Sequence, residues 1–294
     1  MKILLYIPCW HRPELVAMFI DNMECTGCDY AEIIPYFVLS PEDEDEKELT
    51  QITGGYNRTY TTNISFGRKK NEGLMRALSL EWDYVMEFNS DNVYTPLLWE
   101  YHKKYFDESN PFFGFKSVYV YEPYLNRAVY LESYHIGLRD EITAMGWGRC
   151  IRRDVVEKCF PLWIDEAPFG MDGQSDERIT SMGYDCTVIE TGEDPVVCGI
   201  AATVCLTGWD QWSDIGVPAN VDFVREAFGL CPAVCFDLGD FDSFHSTILK
   251  VSSDMNKPAA FDLINEAYRL QTGEKRYSSY DSYKNVVSRK HKSK

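Results

Sequence analysis

Short apolar runs separated by amphipathic stretches mark out the first two hundred residues. Lys2–Pro8 is a continuous apolar run closed by a proline, the pattern of a buried strand. Trp10-His11-Arg12-Pro13-Glu14 follows, with Pro13 placed for the first turn of a helix that carries Leu15, Met18, Phe19 and Met23 on one face. Ile33–Leu39 is a second buried strand, ending at Ser40-Pro41 and running into an acidic loop from Glu42 to Glu48. Strand, helix and strand in this order form a βαβ unit. Gly67–Leu78 has helical spacing, with Leu74, Met75 and Leu78, together with Trp82, predicted to face the sheet and Arg68 and Lys69 predicted on the solvated side. The helix leads into a third buried run that ends at Phe88.

Ligands of open α/β sheets bind beyond the carboxyl ends of the strands. Four segments are predicted to converge there: Pro8 to Arg12, Ser40 to Glu42, Arg68 to Asn71, and Asn89 to Asn92. Asn89-Ser90-Asp91 is a polar triplet at the end of a buried strand. A carboxylate in that place can hold a hard cation, and the cation a diphosphate. The same residues also suit an Asx turn that only caps the strand.

The order Ile-Pro-Cys-Trp-His-Arg-Pro-Glu, Lys-Asn-Glu-Gly-Leu, Phe-Asn-Ser-Asp-Asn-Val resembles the nucleotide-sugar half of family-2-like glycosyltransferases of the GT-A fold. Those enzymes show a strand ending in Pro before Asn-Arg-Pro-Glu, a later Arg-Asn-x-Gly helix start, and Asp-x-Asp at a strand end. Here Asn89 replaces the first Asp and His11 the usual Asn. Gly146-Trp147-Gly148 is similar to the family's glycine-rich turn before a strand. Phe169–Tyr184 is similar to its acceptor-side motif, with Asp172, Arg178 and Gly183-Tyr184 in register and Met171 and Gln174 replacing acidic residues. The likeness covers roughly residues 1 to 192, about the size of one domain.

The resemblance implies an α/β fold of GT-A type, a Rossmann-like mixed sheet flanked by helices with a carboxy-terminal elaboration. It also implies metal-dependent transfer of a sugar from a nucleoside-diphosphate sugar to a hydroxyl acceptor. Asp91 becomes the expected ligand of Mn²⁺ or Mg²⁺, which suit an oxygen-rich site shared with phosphate. Pro8, Trp10, Arg12, Ser40, Lys70, Asn71, Asn89 and Ser90 become the expected donor contacts, and Arg12, Arg68, Lys69 and Lys70 the basic element around that pocket, with a solvated helix face the preferred reading for Arg68 and Lys69. Asn89 offers only a neutral amide oxygen. Asp172 is the expected base on the acceptor hydroxyl if the enzyme inverts, and an N-cap of its own helix otherwise. Two further readings stay open: a nucleotidyltransferase that releases pyrophosphate, and a non-catalytic nucleotide-sugar or glycan-binding module.

Composition narrows the partners. With 29 basic and 46 acidic side chains in 294 residues, the formal charge of −17 opposes a broad phosphate-binding face, so a modified nucleic acid is a less favoured acceptor than a glycan or small molecule. No segment has the length and apolarity of a transmembrane span, Met1-Lys2 leads straight into a strand, and the ten cysteines read as reduced thiols, so a cytoplasmic location is expected. Cys25-x-x-Cys28 has metal or redox spacing, with Cys231 and Cys235 its wider-spaced companion for a less favoured zinc site. The resemblance implies His135 or His245 as a late metal ligand, though a plain core or surface histidine fits either better. The expected organisation is a catalytic core over 1–192, an elaboration over 193–283 on the acceptor side, and a basic mobile tail over 284–294.

Overall fold

The computed structural model describes residues 1–123, 126–132, 144–166, 171–201 and 209–230. In chain order the elements are β1 (Lys2–Pro8), α1 (Pro13–Cys25), β2 (Glu32–Leu39), α2 (Glu46–Ile52), β3 (Asn57–Tyr60), α3 (Phe66–Ala77), β4 (Tyr84–Glu87), β5 (Asn92–Tyr94), α4 (Leu97–Asp107) and β6 (Phe112–Phe115). There follow β7 (Val118–Glu122), β8 (Arg127–Leu131), β9 (Arg149–Arg152), α5 (Arg153–Cys159), α6 (Met171–Ser181), β10 (Thr187–Ile189), β11 (Val197–Ile200), α7 (Trp209–Ile215), β12 (Val217–Pro218) and α8 (Val221–Phe228). The chain divides into two compact units, 1–119 with 130–199, and 120–129 with 200–294.

The first unit is built on a mixed sheet in the order β10-β6-β9-β4-β1-β2-β3. Strands β3, β2, β1 and β4 run parallel, so their carboxyl ends share one rim. Strand β9 runs antiparallel between β4 and β6 and therefore delivers its amino end to that same rim. The predicted βαβ unit is β1, α1 and β2. Helix α1 starts at Pro13 and buries Leu15, Val16, Phe19, Ile20 and Met23. A core of Leu4, Tyr6, Tyr36, Val38, Leu74, Trp82, Val85 and Ile151 joins α3 to the sheet. Gly73 lets the helix come close: a Cβ there would lie 2.6 Å from Tyr6 Oη and 2.7 Å from Val38 Cγ2.

Three expectations need correction. Met75 is 53% exposed, because α3 turns Leu74 and Ala77 to the sheet instead. Lys69 is buried rather than solvated. The acidic run does not stay a loop: α2 begins at Glu46, and Asp43 goes inside, where its carboxylate accepts from two backbone N–H groups.

In the second unit β12, β8 and β7 are neighbours in that order, and Ala219 N donates to Ala128 O at 3.0 Å. Asn220 caps α8 by accepting from Asp222 N and Phe223 N, and Gly229 ends it with φ +64°. His135, His245, the Cys231 and Cys235 companions of Cys25-x-x-Cys28, and the basic tail lie outside the described residues. Among the described residues no helix is long and apolar enough to cross a membrane.

Gly73→Ala is expected to destabilise the fold by about 1–3 kcal/mol through overpacking against Tyr6 and Val38, read as a lower midpoint in urea with an unchanged slope.

Candidate active site

The turn after β1 carries the clearest backbone strain. His11 and Arg12 have φ +55° and +60°, left-handed values that cost non-glycine residues of order 1–3 kcal/mol each. Several contacts hold them there. His11 N donates to Asp43 Oδ2 at 2.7 Å, Cys9 N to Val38 O at 2.9 Å, and Lys69 Nζ to Cys9 O. Arg12 Nη1 donates to Asp91 Oδ2 at 2.9 Å. The strained turn is thereby tied to the ends of β2 and β4 and to α3.

Asp43 is the anchor on the β2 side. Its side chain is fully buried, and His11 Nδ1 lies 2.8 Å from its Oδ1 and 3.4 Å from Asp45 Oδ2. The imidazole nitrogen is buried but makes no hydrogen bond of acceptable geometry. His11, Asp43 and Asp45 bring one ligand atom each within 4.8 Å of one another. Ser40, also buried, has an Oγ without a hydrogen-bond partner.

After β4 the expected polar triplet forms a closed turn. Asn92 N donates to Asn89 O at 3.2 Å, and Asn89 N to Asn92 Oδ1 at 2.8 Å, so the cap is supplied by Asn92. Ser90 is buried inside the turn, while Asp91 projects to Arg12 and keeps 14% of its side chain exposed.

Behind this rim lies a buried ionic group. Glu87, at the last position of β4, takes Lys70 Nζ on Oε1 at 2.9 Å and Arg149 Nε and Nη2 on Oε2. Burial alone would push the Glu87 carboxyl up, but Arg149 and Lys70 outweigh it and hold it below the usual glutamate range. Lys70 also stands over the Trp163 ring at 4.1 Å. Arg149 reaches onward, donating to Asp172 O at 3.0 Å and to Ser175 Oγ.

Asp172 sits in the first turn of α6. Its carboxylate crosses to the glycine-rich turn and accepts from Gly146 N at 2.9 Å. Any Cβ at residue 146 would strike Asp172 Oδ1 at 2.4 Å, which explains the glycine. Gly148 N donates to Glu87 O at 2.7 Å, and the Trp147 ring approaches Gly199 so closely that a Cβ there would lie 2.3 Å from Cη2. A continuous set of bonds thus links Asp172 to the strand end that precedes Asp91.

The expected donor contacts divide by place. Pro8, Trp10, Arg12, Ser40, Asn89, Ser90 and Asp91 stand on the strand-end segments. Lys70 and Asn71 point elsewhere: Lys70 to Glu87, and Asn71 Nδ2 to Trp163 O and Asp165 Oδ1 at 2.7 and 2.8 Å. Asp165 in turn accepts on its carbonyl oxygen from Arg68 N at 3.1 Å and from Ser65 Oγ, closing the amino end of α3. Lys69, Asp43 and Glu87 lie outside the family-like motifs, and Arg149 follows the glycine-rich turn. The readable signal for Glu87 and Arg149 is a charge inside an apolar strand, which demands a partner.

The chain is similar in fold to S. aureus TarS, a GT-A structure, with a TM-score of 0.50 and 9% identity over 94% of this chain and 44% of that one. The chain has the GT-A fold. It spans less than half the length of that TarS chain. TarS 1–349 in complex with UDP-GlcNAc aligns with a TM-score of 0.45 and 11% identity over 94% of this chain and 74% of that one. A 4-diphosphocytidyl-2C-methyl-D-erythritol synthase aligns with a TM-score of 0.45 and 10% identity over 66% of this chain and 91% of that one. Neither of the last two adds to the fold assignment. No protein-family model and no curated protein matches the sequence.

Removing one partner of the buried group, as in Arg149→Met, is expected to cost about 3–5 kcal/mol in a denaturant melt, because Glu87 loses its main counter-charge. The depressed Glu87 carboxyl also sets a pH dependence. Its contribution is complete above the unfolded glutamate value and is lost as pH falls through the lower folded value. Melting temperature should therefore drop on acidification in the wild type, and this component of the drop should be absent in Glu87→Gln.

Proposed function

We propose that this protein is a metal-dependent glycosyltransferase that moves a sugar from a nucleoside-diphosphate sugar to a hydroxyl acceptor. The observation that carries the reading is the pair of acidic groups tied to one strand-end rim of a GT-A sheet: Asp91 on the β4 turn, and Asp172 on α6 bonded to the Gly146 turn. The two stand on different elements, as donor and acceptor functions require.

A divalent cation fits the residues present. The rim offers the Asp91 carboxylate on the β4 turn, and the mixed oxygen and nitrogen set of His11, Asp43 and Asp45. Asp91 is the proposed ligand. The cation, when bound, supplies neutralisation of the charge that grows on the leaving diphosphate. Arg12 orients the donor by its guanidinium, which suits a phosphate as well as it now suits Asp91. Asp172 accepts the acceptor's hydroxyl proton. Its bond to Gly146 N fixes one carboxylate oxygen and leaves the other to take the proton.

Turnover of labelled nucleotide sugars tests the reading directly. Release of nucleoside diphosphate with transfer of the sugar supports it; pyrophosphate release marks a nucleotidyltransferase, and binding without turnover a recognition module. Asp91→Ala is expected to abolish Mn²⁺-dependent binding of UDP in calorimetry with the fold intact. If Asp43→Ala does so and Asp91→Ala does not, the cation belongs to the His11 set. Asp172→Asn keeps an acceptor for Gly146 N but loses basicity, so kcat is expected to fall by about 10²-fold or more with donor affinity retained. Near-wild-type transfer in that variant removes Asp172 from the role of base.

A further inference from the structure

Among the buried cations, Lys69 stands apart. Lys70 and Arg149 share Glu87, and Arg12 takes Asp91. Lys69 is 1% exposed, yet it forms no ion pair among the described residues. Its ammonium donates to Cys9 O and lies 5.4 Å from the centre of the half-buried Trp10 ring. An ammonium has three N–H donors, and one neutral carbonyl does not compensate for taking its charge out of water. Such a group is retained where a ligand supplies the missing charge or where the fold gains from it.

Its place favours the ligand. Cys9 precedes the strained His11-Arg12 turn, and the acidic groups that act on Lys69 are Asp43 and Glu42 of the segment after β2. Lys69 therefore lies between the β1 and β2 strand ends on the proposed donor side. We infer that Lys69 is an anion-binding residue of this pocket, whose ammonium takes a phosphate oxygen of the nucleoside diphosphate once the Trp10 ring turns aside. The inference rests on the nucleotide-sugar reading above and adds to it a contact that the family-like motif does not contain, since that motif begins at Lys70.

Electrostatics supports the assignment. Burial lowers the Lys69 ammonium to about 8, against the Cys9, Asp43 and Glu42 charges that pull it up. The folded value lies below the unfolded lysine value, so the cost of the buried charge is present in full below about 8 and is relieved as pH rises from there. An anion bound beside the ammonium would hold it charged and remove the cost.

The test uses UDP as probe, with calorimetry and thermal melts on the wild type and on Lys69→Met. The expected result is a pair of opposite changes at pH 7: UDP affinity at least tenfold weaker in Lys69→Met, and a melting temperature equal to or above the wild type without UDP. In the wild type, UDP affinity should also fall as pH rises from 7 to 9.5, a decline that needs no variant. A lower melting temperature in Lys69→Met with unchanged UDP affinity overturns the inference, leaving Lys69 as a brace for the Cys9 turn. A wild-type affinity for UDP that does not change across that pH range also overturns it. If the wild type binds neither UDP nor inorganic pyrophosphate, the nucleotide-sugar reading itself falls, and the inference with it.

Discussion

One buried carboxylate holds the two halves of the rim together. Glu87 ends β4, and its two oxygens are divided between Lys70 on α3 and Arg149 on β9. The first contact fixes the helix whose amino end borders the proposed donor side. The second fixes the strand that brings in Gly146 and, through it, Asp172. An apolar residue at position 87 would strand two cations in the interior. That asymmetry, in which a complete ionic group is tolerable and a broken one is expensive, makes the geometry of the rim all or nothing.

The rim also shows how strain and charge are balanced. His11 and Arg12 occupy a left-handed backbone only because Asp43, Asp91 and Lys69 grip the turn from three other segments. Arg12 and Asp91 neutralise each other at 2.9 Å. On the proposed reading, a cation held by Asp91 and a phosphate held by Arg12 would replace that pairing.

Much of this was legible in the sequence, though unevenly. The parallel strands and α1 follow from apolar runs and from Pro13, and β1 ends at the expected Pro8. The strand-end position of Asn89–Asp91 was readable for the same reason. The burial of Lys69 was not, because helical periodicity places a residue on a face and says nothing about the Cys9 turn folding over that face. Nor was the burial of Asp43, since an acidic run looks solvated until its backbone partners are known. Asn71 matches a family motif, yet its amide is spent on Trp163 and Asp165, a role fixed by chain segments far away in sequence.

The antiparallel β9 has a kinetic consequence. Strands β1 to β4 and their helices are local in sequence, whereas Glu87 and Arg149 are separated by 62 residues. Contacts across such a loop form late, after the entropy of closing it has been met. Until β9 arrives, β4 is an open edge strand carrying a half-paired carboxylate. During synthesis the β1 to β4 side of the rim would therefore be assembled before the β9 side, with its β4 edge exposed to pairing with another chain in that interval.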